Sequence, residues 1–437
     1  MIDDRPIKNA LIQKFESDIL VNKMKKTVSE IAQIFGHHSD RIDFIIHAAF
    51  DSRKVKEKSL FFALTGEKVD GHQFLEEVSE KGAIAAIVSE AYQGPHYGME
   101  LIPVDDVKRA LQVLARDVFK GKNPLVIGVT GTVGKTTAKE FIARVLSEKF
   151  RVAKNPGSMN SQVGLPLTVL NWNGEDEILV LEMGMSEKGE ISRLIEIVPP
   201  QLGVLTKLSI VHSAFFEGME GITEAKCELF KSRKMKHAFL NRDTAEFKAV
   251  QNIDVPKTWF EKSILKAPFN EPQLLENLGA ALSIAHYLGM TEEEVERGVQ
   301  KLKPFDHRGE KIKKKGVLFI DDSYNASPVA AKAAFKSMPE GKSRFAIFGA
   351  MKELGAFEES SHREVARCAL PMIDELLCVG KECLPMVDLF KQKGKRAKLF
   401  ESKEKAAKHL KEIMEEGDVV LIKGSNSFQL WTILEEL

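Results

Sequence analysis

The sequence predicts an α/β fold of three domains: a small first domain, a central mostly parallel sheet carrying a Gly-rich loop, and a C-terminal Rossmann-like domain. Three observations carry that reading. The chain has 437 residues, and at about 150 residues per domain this length allows roughly three. Strand-length apolar runs alternate with helical periodicity from residue 60 onward, the pattern of parallel strands joined by helices. A Gly-rich turn at 131–134 joins one such strand to one such helix.

Composition narrows the class. Apolar residues make up 43% and charged residues 29%, which excludes a long disordered chain, a collagen and a fibrous coiled coil. Lys+Arg and Asp+Glu both number 63. A neutral chain has no global reason to coat nucleic acid or an anionic membrane, so any charged ligand needs a local site. The longest uninterrupted apolar run, 83–88, falls far short of the roughly 20 residues a membrane-crossing helix needs. The N-terminus opens with Asp3 and Asp4 and shows no signal pattern. The four cysteines, Cys227, Cys368, Cys378 and Cys383, fit no common zinc spacing and are too few for a disulfide framework. We expect a reduced, cytoplasmic chain.

In chain order, residues 1–23 form a polar, weakly patterned extension, a short helix or a loose tail. A helix is expected over 27–34, with Thr27 as cap and Glu30 three residues on. Strands follow at 60–64 and 83–88 with a helix at 74–81 between them, then a turn at Gly94, Pro95 and Gly98 before a strand at 101–104. These make a first domain, 24–104. The central domain, 105–316, opens with an amphipathic helix at 105–119. Strand 125–130 and a helix bearing Phe141, Ile142, Val145 and Leu146 follow. It continues with strands 178–183 and 202–206, a helix at 276–288 and a basic, turn-rich stretch at 304–316. The third domain, 317–437, repeats strand and helix cleanly. Its strands are 317–321, 345–349, 376–380, 397–400 and 419–423, and its helices start near Val329, Phe357, Leu384 and Lys403. The basic clusters 231–236 and 311–315 read as solvated surface.

The chemistry concentrates at Gly131-Thr132-Val133-Gly134-Lys135-Thr136-Thr137. Glycines let backbone N–H groups approach phosphate oxygens, and the helix N-terminus adds partial positive charge. Lys135 is placed to reach terminal phosphates, and the hydroxyl after it to ligate Mg²⁺. Val129 stands where the standard phosphate loop has its first glycine. An ATP or GTP site is expected. In open parallel sheets ligands lie beyond the carboxyl ends of the strands. Glu182 ends an apolar strand there. It meets either a Mg²⁺ shared with Thr136 or a basic side chain. His212, beyond strand 202–206, is a capping or surface histidine or a metal ligand. Lys226 by spacing is an exposed helix lysine.

Thr130-Gly131-Thr132-Val133-Gly134-Lys135-Thr136-Thr137 resembles the T-G-T-x-G-K-T-T loop of the Mur ligases, enzymes that extend the peptide stem of the bacterial cell-wall precursor. The resemblance covers nearly the whole chain beyond its first twenty or so residues. Asp51-Ser52-Arg53, Phe61-Phe62-Ala63-Leu64, Gly66-Glu67 and Asp70-Gly71-His72 are similar to the family's UDP-sugar domain. Leu181-Glu182-Met183-Gly184-Met185 and the stretch from His212 to Lys226 resemble its central domain. Three C-terminal segments are similar to the branch that adds D-alanyl-D-alanine. They are Asp321-Asp322-Ser323-Tyr324-Asn325-Ala326-Ser327-Pro328, Met351-Lys352-Glu353-Leu354-Gly355 with His362, and Lys423-Gly424-Ser425-Asn426-Ser427. The D-N-P-R motif of the diaminopimelate-adding branch is absent.

The resemblance implies an ATP-dependent amide ligase that joins D-alanyl-D-alanine to UDP-N-acetylmuramoyl-tripeptide through an acyl phosphate, using Mg²⁺. It implies a monomer with no nucleic-acid or membrane partner. The alternatives are a diaminopimelate- or lysine-adding member and, from another class, a phosphate-loop ATPase regulator. The implied roles follow the matched positions. Lys135 would bind the β/γ-phosphates, and Thr136 and Glu182 would hold one Mg²⁺. His212 and a carbamate on Lys226 would hold a second. Asn277 would meet adenine, Arg308 the phosphates and Asp322 the ribose. Lys135, His212, Lys226 and Arg308 form the implied catalytic set. Ser52, Arg53 and His72 would surround the UDP group, and Asn160 and Asn325 would face the peptide substrates. The sequence departs from the family pattern at Gln273, at Ala350 and at Asn160-Ser161, none of them a phosphate or metal position.

Overall fold

The structure is a computed structural model that describes residues 24, 26–66, 69–208, 218–303, 307–352 and 354–437. Four sheets form among the described residues. A two-stranded pair joins Lys26–Thr27 to Phe44–Ile45, and a four-stranded sheet takes His47–Ala49, Ser59–Phe62, Ala83–Ser89 and Glu100–Val104 in that order. A six-stranded sheet runs Lys257–Phe260, His237–Asn241, Leu202–Leu205, Leu125–Thr130, Ile178–Glu182, Val152–Lys154. A second runs Glu310–Lys314, Val317–Asp321, Val419–Lys423, Arg344–Gly349, Glu375–Val379, Arg396–Phe400. The chain divides into two compact units. One runs to Val129 and takes in Lys149–Gly203 and Glu228–Ala238; the other holds Thr130–Glu148, Val204–Cys227 and Phe239–Leu437.

In the first unit the helix Val28–Ile34 starts on the expected capping box. Thr27 Oγ1 accepts from the Glu30 N–H, and the Glu30 carboxylate accepts from the Thr27 N–H. The four-stranded sheet is parallel throughout. The helix expected at 74–81 opens instead with a 3₁₀ turn, Gly71–Phe74, because Asp70 caps that turn through the His72 N–H; the α-helix proper is Leu75–Glu80. Helix Val107–Phe119 begins where Asp106 accepts from the Arg109 N–H, and it buries Val107, Ala110, Leu111, Leu114, Ala115 and Val118 at helical spacing. Strand Leu125–Thr130 pairs in parallel with Ile178–Glu182, Val129 opposite Glu182. All five residues of Ile178–Glu182 are buried, so the strand carries its terminal carboxylate into the interior.

In the second unit the C-terminal sheet has the expected strands. Helices Pro328–Lys336, Glu358–Ala369 and Leu384–Gln392 supply one core, with Ala331, Phe335, Val365 and Met386 among its residues. Helix Lys403–Ile413 supplies another through Ala406 and Leu410. Both faces of a parallel sheet are thereby covered, as a Rossmann-like fold requires. The stretch 304–316, expected as turn-rich, is in part a strand. Glu310–Lys314 pairs antiparallel with Val317–Asp321, and Lys315 (φ 51°) and Gly316 (φ 77°) make the two-residue turn. Burial alternates along it, with Lys311 and Lys313 outward; the run of lysines hides that alternation in the sequence. Helix Pro272–Tyr287 starts earlier than expected because Pro272 occupies its first turn. Among the described residues no helix is long and apolar enough to cross a membrane. None of the four cysteines is in a disulfide, and Cys368 is half-buried and the others buried.

Candidate active site

The loop after Leu125–Thr130 is shaped by its glycines. Gly131 has φ +146°, and a Cβ there would stand 2.0 Å from Thr206 Oγ1. Gly134, at φ +88°, precedes the helix Lys135–Leu146, whose first-turn N–H groups have no intrahelical acceptor. Lys135 folds back so that Nζ donates to the Thr132 carbonyl at 3.0 Å. The residues after Leu202–Leu205 brace the loop: Thr132 N–H and Val133 N–H donate to the Lys207 carbonyl at 3.0 and 3.2 Å, and Thr206 Oγ1 donates to the Val133 carbonyl at 2.7 Å. Lys207 Nζ is held by Asp243 at 2.9 Å and Glu276 at 3.1 Å. Sequence reasoning missed Thr206 and Lys207, because their role depends on which strand lies beside the loop.

Two expected partners reach this loop. Asn277 is buried, donates to the Gln273 carbonyl at 2.8 Å, and sets Oδ1 2.5 Å from where a Gly134 Cβ would be. Arg308 Nη2 donates to Thr136 Oγ1 at 3.1 Å, and its guanidinium lies 4.2 Å over the Tyr324 ring. Tyr324 belongs to the segment that carries Asp322 and Asn325. Lys423, 1% exposed, fixes that segment by donating to Asp322 Oδ2 (2.6 Å) and to the carbonyls of Asp322 (3.1 Å) and Asn325 (3.0 Å). Asn325 itself is exposed. In the same domain the Met351 N–H donates to His362 Nε2 at 3.1 Å while His362 Nδ1 sits 2.7 Å from the Glu358 carbonyl, so the ring braces the Met351 turn.

Glu182 is 1% exposed. Asn155 pairs with its backbone, and Asn160 Nδ2 donates to Oε1 at 2.5 Å. Asn160, expected to face the peptide, is thus committed to the glutamate. Glu182 Oε2 is buried with no hydrogen-bond partner among the described residues. A buried carboxylate oxygen left in that state is costly unless a cation meets it, so Glu182 fits the expected Mg²⁺. Lys226, expected to be exposed, is 1% exposed on the helix Gly218–Cys227. Its neighbours Ile222, Thr223, Ala225 and Cys227 are buried too, so packing rather than helical spacing decides its environment. His212 lies outside the described residues.

In the first unit Asp51 accepts from Arg53 Nε (2.9 Å) and Nη2 (2.8 Å), and this pairing holds its carboxyl below the usual range. Ser52 is buried beside it. His72 uses both ring nitrogens: Nδ1 lies 2.6 Å from Asp70 Oδ1, and Nε2 accepts from the Ser89 N–H at 2.9 Å. Its hydrogen bond holds the Asp70 carboxyl down. A cavity of about 480 Å³ opens alongside, lined by His47, Asp51, Lys54, Lys154, Asn171 and Trp172 among others. Its wall is fixed by the Asn171 amide, which pairs with both the N–H (3.0 Å) and the carbonyl (2.9 Å) of Ala48.

Fold and loop together define a phosphate-loop α/β protein. Three family models match the chain: the Mur ligase family catalytic domain over 45–119, the Mur ligase middle domain over 129–267, and the Mur ligase glutamate ligase domain over 307–426. The chain is 33% identical to the UDP-N-acetylmuramoyl-tripeptide–D-alanyl-D-alanine ligase of Bacillus subtilis, over 95% of this chain and 98% of that one. It is 28% identical to the ligase of the same name from Escherichia coli, over 94% and 98%. The crystal structure of MurF ligase from Thermotoga maritima in complex with ADP superposes with a TM-score of 0.74 at 30% identity, covering 89% of this chain and 96% of that one. The chain belongs to the Mur ligase family.

Proposed function

We propose that this protein is an ATP-dependent ligase that joins D-alanyl-D-alanine to UDP-N-acetylmuramoyl-tripeptide in peptidoglycan precursor synthesis. The observation that carries the reading is the braced loop 131–137 with Arg308 hydrogen-bonded to Thr136, in a chain similar over 94–95% of its length to ligases of that name. The C-terminal Asp321–Pro328 and Met351–Gly355 motifs favour D-alanyl-D-alanine over a single diamino acid as the incoming amine. The domains are proposed as 24–104, 105–316 and 317–437 after an extension at 1–23, with the strand Glu310–Lys314 joining the third sheet. We place the protein in the cytoplasm, as a monomer, where ATP and reduced thiols coexist.

A carboxylate is a poor electrophile, so the stem carboxylate must first be activated. It attacks the γ-phosphorus of ATP, ADP leaves, and an acyl phosphate forms. The dipeptide amine then attacks the acyl carbon and inorganic phosphate departs. Lys135 and Arg308 neutralise the charge that spreads over the transferred group, and the N–H groups of 134–137 hold the phosphates in line. Asn277 receives the adenine and Asp322 the ribose. Thr136 and Glu182 are the residues to hold Mg²⁺, with His212 and a carbamate on Lys226 for a second ion; bound there, the metal supplies charge neutralisation and orientation. Asn160 keeps the Glu182 carboxylate aimed. In the first unit Ser52, Arg53 and His72 surround the UDP group, with Asp51 and Lys54, the chain neighbours of Ser52 and Arg53, lining the 480 Å³ cavity; Asn325, in the third domain, faces the dipeptide.

The test is a mass-spectrometric assay with UDP-N-acetylmuramoyl-tripeptide, ATP and D-alanyl-D-alanine, run beside diaminopimelate and lysine as rival amines. The pentapeptide product is expected only with D-alanyl-D-alanine, and Lys135→Ala should abolish it together with phosphate release. Turnover that needs no UDP-linked peptide, or a Lys135→Ala variant at near wild-type rate, would refute the reading.

A further inference from the structure

We propose that His307 is a positioning residue that holds Arg308 in place for the ATP phosphates; this rests on the reading that ATP binds at 131–137. Arg308 alone is weakly fixed. Its side chain has the Thr136 hydrogen bond (3.1 Å) and the Tyr324 ring face, while its Nε is buried without a hydrogen-bond partner among the described residues. A long side chain so loosely tied owes its direction to its backbone.

That backbone is pinned on both sides. His307 sits at φ +61°, in the left-handed region that a histidine adopts only when its surroundings enforce it. Three contacts enforce it. Its Nδ1 lies 2.6 Å from Asp321 Oδ2. Its ring stacks on Trp431 at 4.9 Å between centroids, 18° from parallel. Its carbonyl accepts from the Tyr324 N–H at 3.0 Å. On the far side of Arg308, the Gly309 N–H donates to the Asp321 carbonyl at 2.8 Å.

Asp321 is a firm anchor. It is fully buried at the end of Val317–Asp321, and its other oxygen accepts from the Ser323 N–H at 3.1 Å and from the Ser323 hydroxyl. Glu310 stands opposite Asp321 in the hairpin register and completes the ionisable group around the ring. The imidazole therefore answers a buried acid on one edge, rests on an indole on one face, and sets the residue next to it against the phosphate loop. Trp431 brings the C-terminal 3₁₀ segment Leu430–Glu435 into the same arrangement.

The experiment uses the full chain with all three substrates. His307→Leu removes the N–H and disfavours positive φ. It should lower kcat/KM for ATP by about tenfold or more, because small misplacement of a positioned charge is costly, and leave KM for the other two substrates unchanged. His307→Asn keeps an N–H donor and tolerates positive φ, so it should recover to within about threefold of wild type. Added to Arg308→Ala, His307→Leu should cost nothing further, as expected when one residue acts through the other. Trp431→Ala carries the test if His307→Leu does not fold, and should weaken the ATP parameters alone. Unchanged ATP kinetics in the folded variants, or a full repeat of the loss on the Arg308→Ala background, would overturn the proposal. The underlying reading fails separately, by an inactive wild type or an unaffected Arg308→Ala.

Discussion

A lysine with 1% of its surface exposed, such as Lys226, must have its charge answered or removed, since burying an isolated ammonium costs several kcal/mol. The proposed carbamate would remove the charge by turning the nitrogen into part of an anionic ligand that a metal ion can meet. The consequence is chemical rather than steric. Lys226→Ala should lower turnover by about a hundredfold, in the range that damaged metal ligation commonly produces, and added formate or acetate should restore part of it by occupying the vacated position. Full activity without any added carboxylate would remove the carbamate from the mechanism. The same residue shows what local pattern leaves out. Its spacing on Gly218–Cys227 suggests solvent, yet the side chain is buried together with Ile222, Thr223, Ala225 and Cys227. The phosphate loop is the opposite case, because its glycines, its lysine and its hydroxyl lie in seven contiguous residues.

At the scale of the element, the hairpin of Glu310–Lys314 and Val317–Asp321 presents Asp321 to His307. Its turn depends on Gly316, whose φ of 77° lies where a β-branched residue is strained, and where a Cβ would also meet the Glu416 side chain at 2.5 Å. Gly316→Val should destabilise the chain by about 1–3 kcal/mol, read as a lower urea midpoint; a midpoint equal to or above wild type would show that the turn does not hold the hairpin. Strands with apolar residues on both faces, such as Val317–Asp321 and Val419–Lys423, are legible in the sequence to the residue because two-sided burial leaves a continuous apolar run. The lysine-rich edge strand Glu310–Lys314 is not, since charged edges protect a sheet from further pairing and so erase the apolar signal. The positive φ of His307 has no sequence signature at all; it exists only because Asp321, Tyr324 and Trp431 converge on one residue.

For the whole molecule, the division into two units places the loop 131–137 with Arg308 and the 321–325 segment, while the four-stranded sheet between His47 and Val104 belongs to the other unit. Arg308 and Thr136 are 172 residues apart in the chain yet share a hydrogen bond, so nucleotide is expected to act on distant segments of one unit together. A ligand at a hundred times its Kd stabilises the state it binds by about 2.7 kcal/mol, enough to slow opening of the segments it contacts by about a hundredfold. Hydrogen exchange with a nonhydrolysable ATP analogue and Mg²⁺ should therefore slow within 131–137, where the N–H groups of 134–137 are proposed to take the phosphates. It should slow as well at Gly309, Ser323 and Tyr324, whose N–H bonds flank Arg308. The strands Ser59–Phe62 and Ala83–Ser89 should exchange as before, and UDP-linked tripeptide should instead protect the turn at 51–54. Protection by nucleotide confined to 51–54, or none at 131–137, would move the ATP site and with it every role assigned to Lys135 and Arg308. Protection at 131–137 without any at Gly309 and Tyr324 would leave the loop assigned but detach Arg308 from it, since an arginine that grips the phosphates must quieten the backbone that carries it.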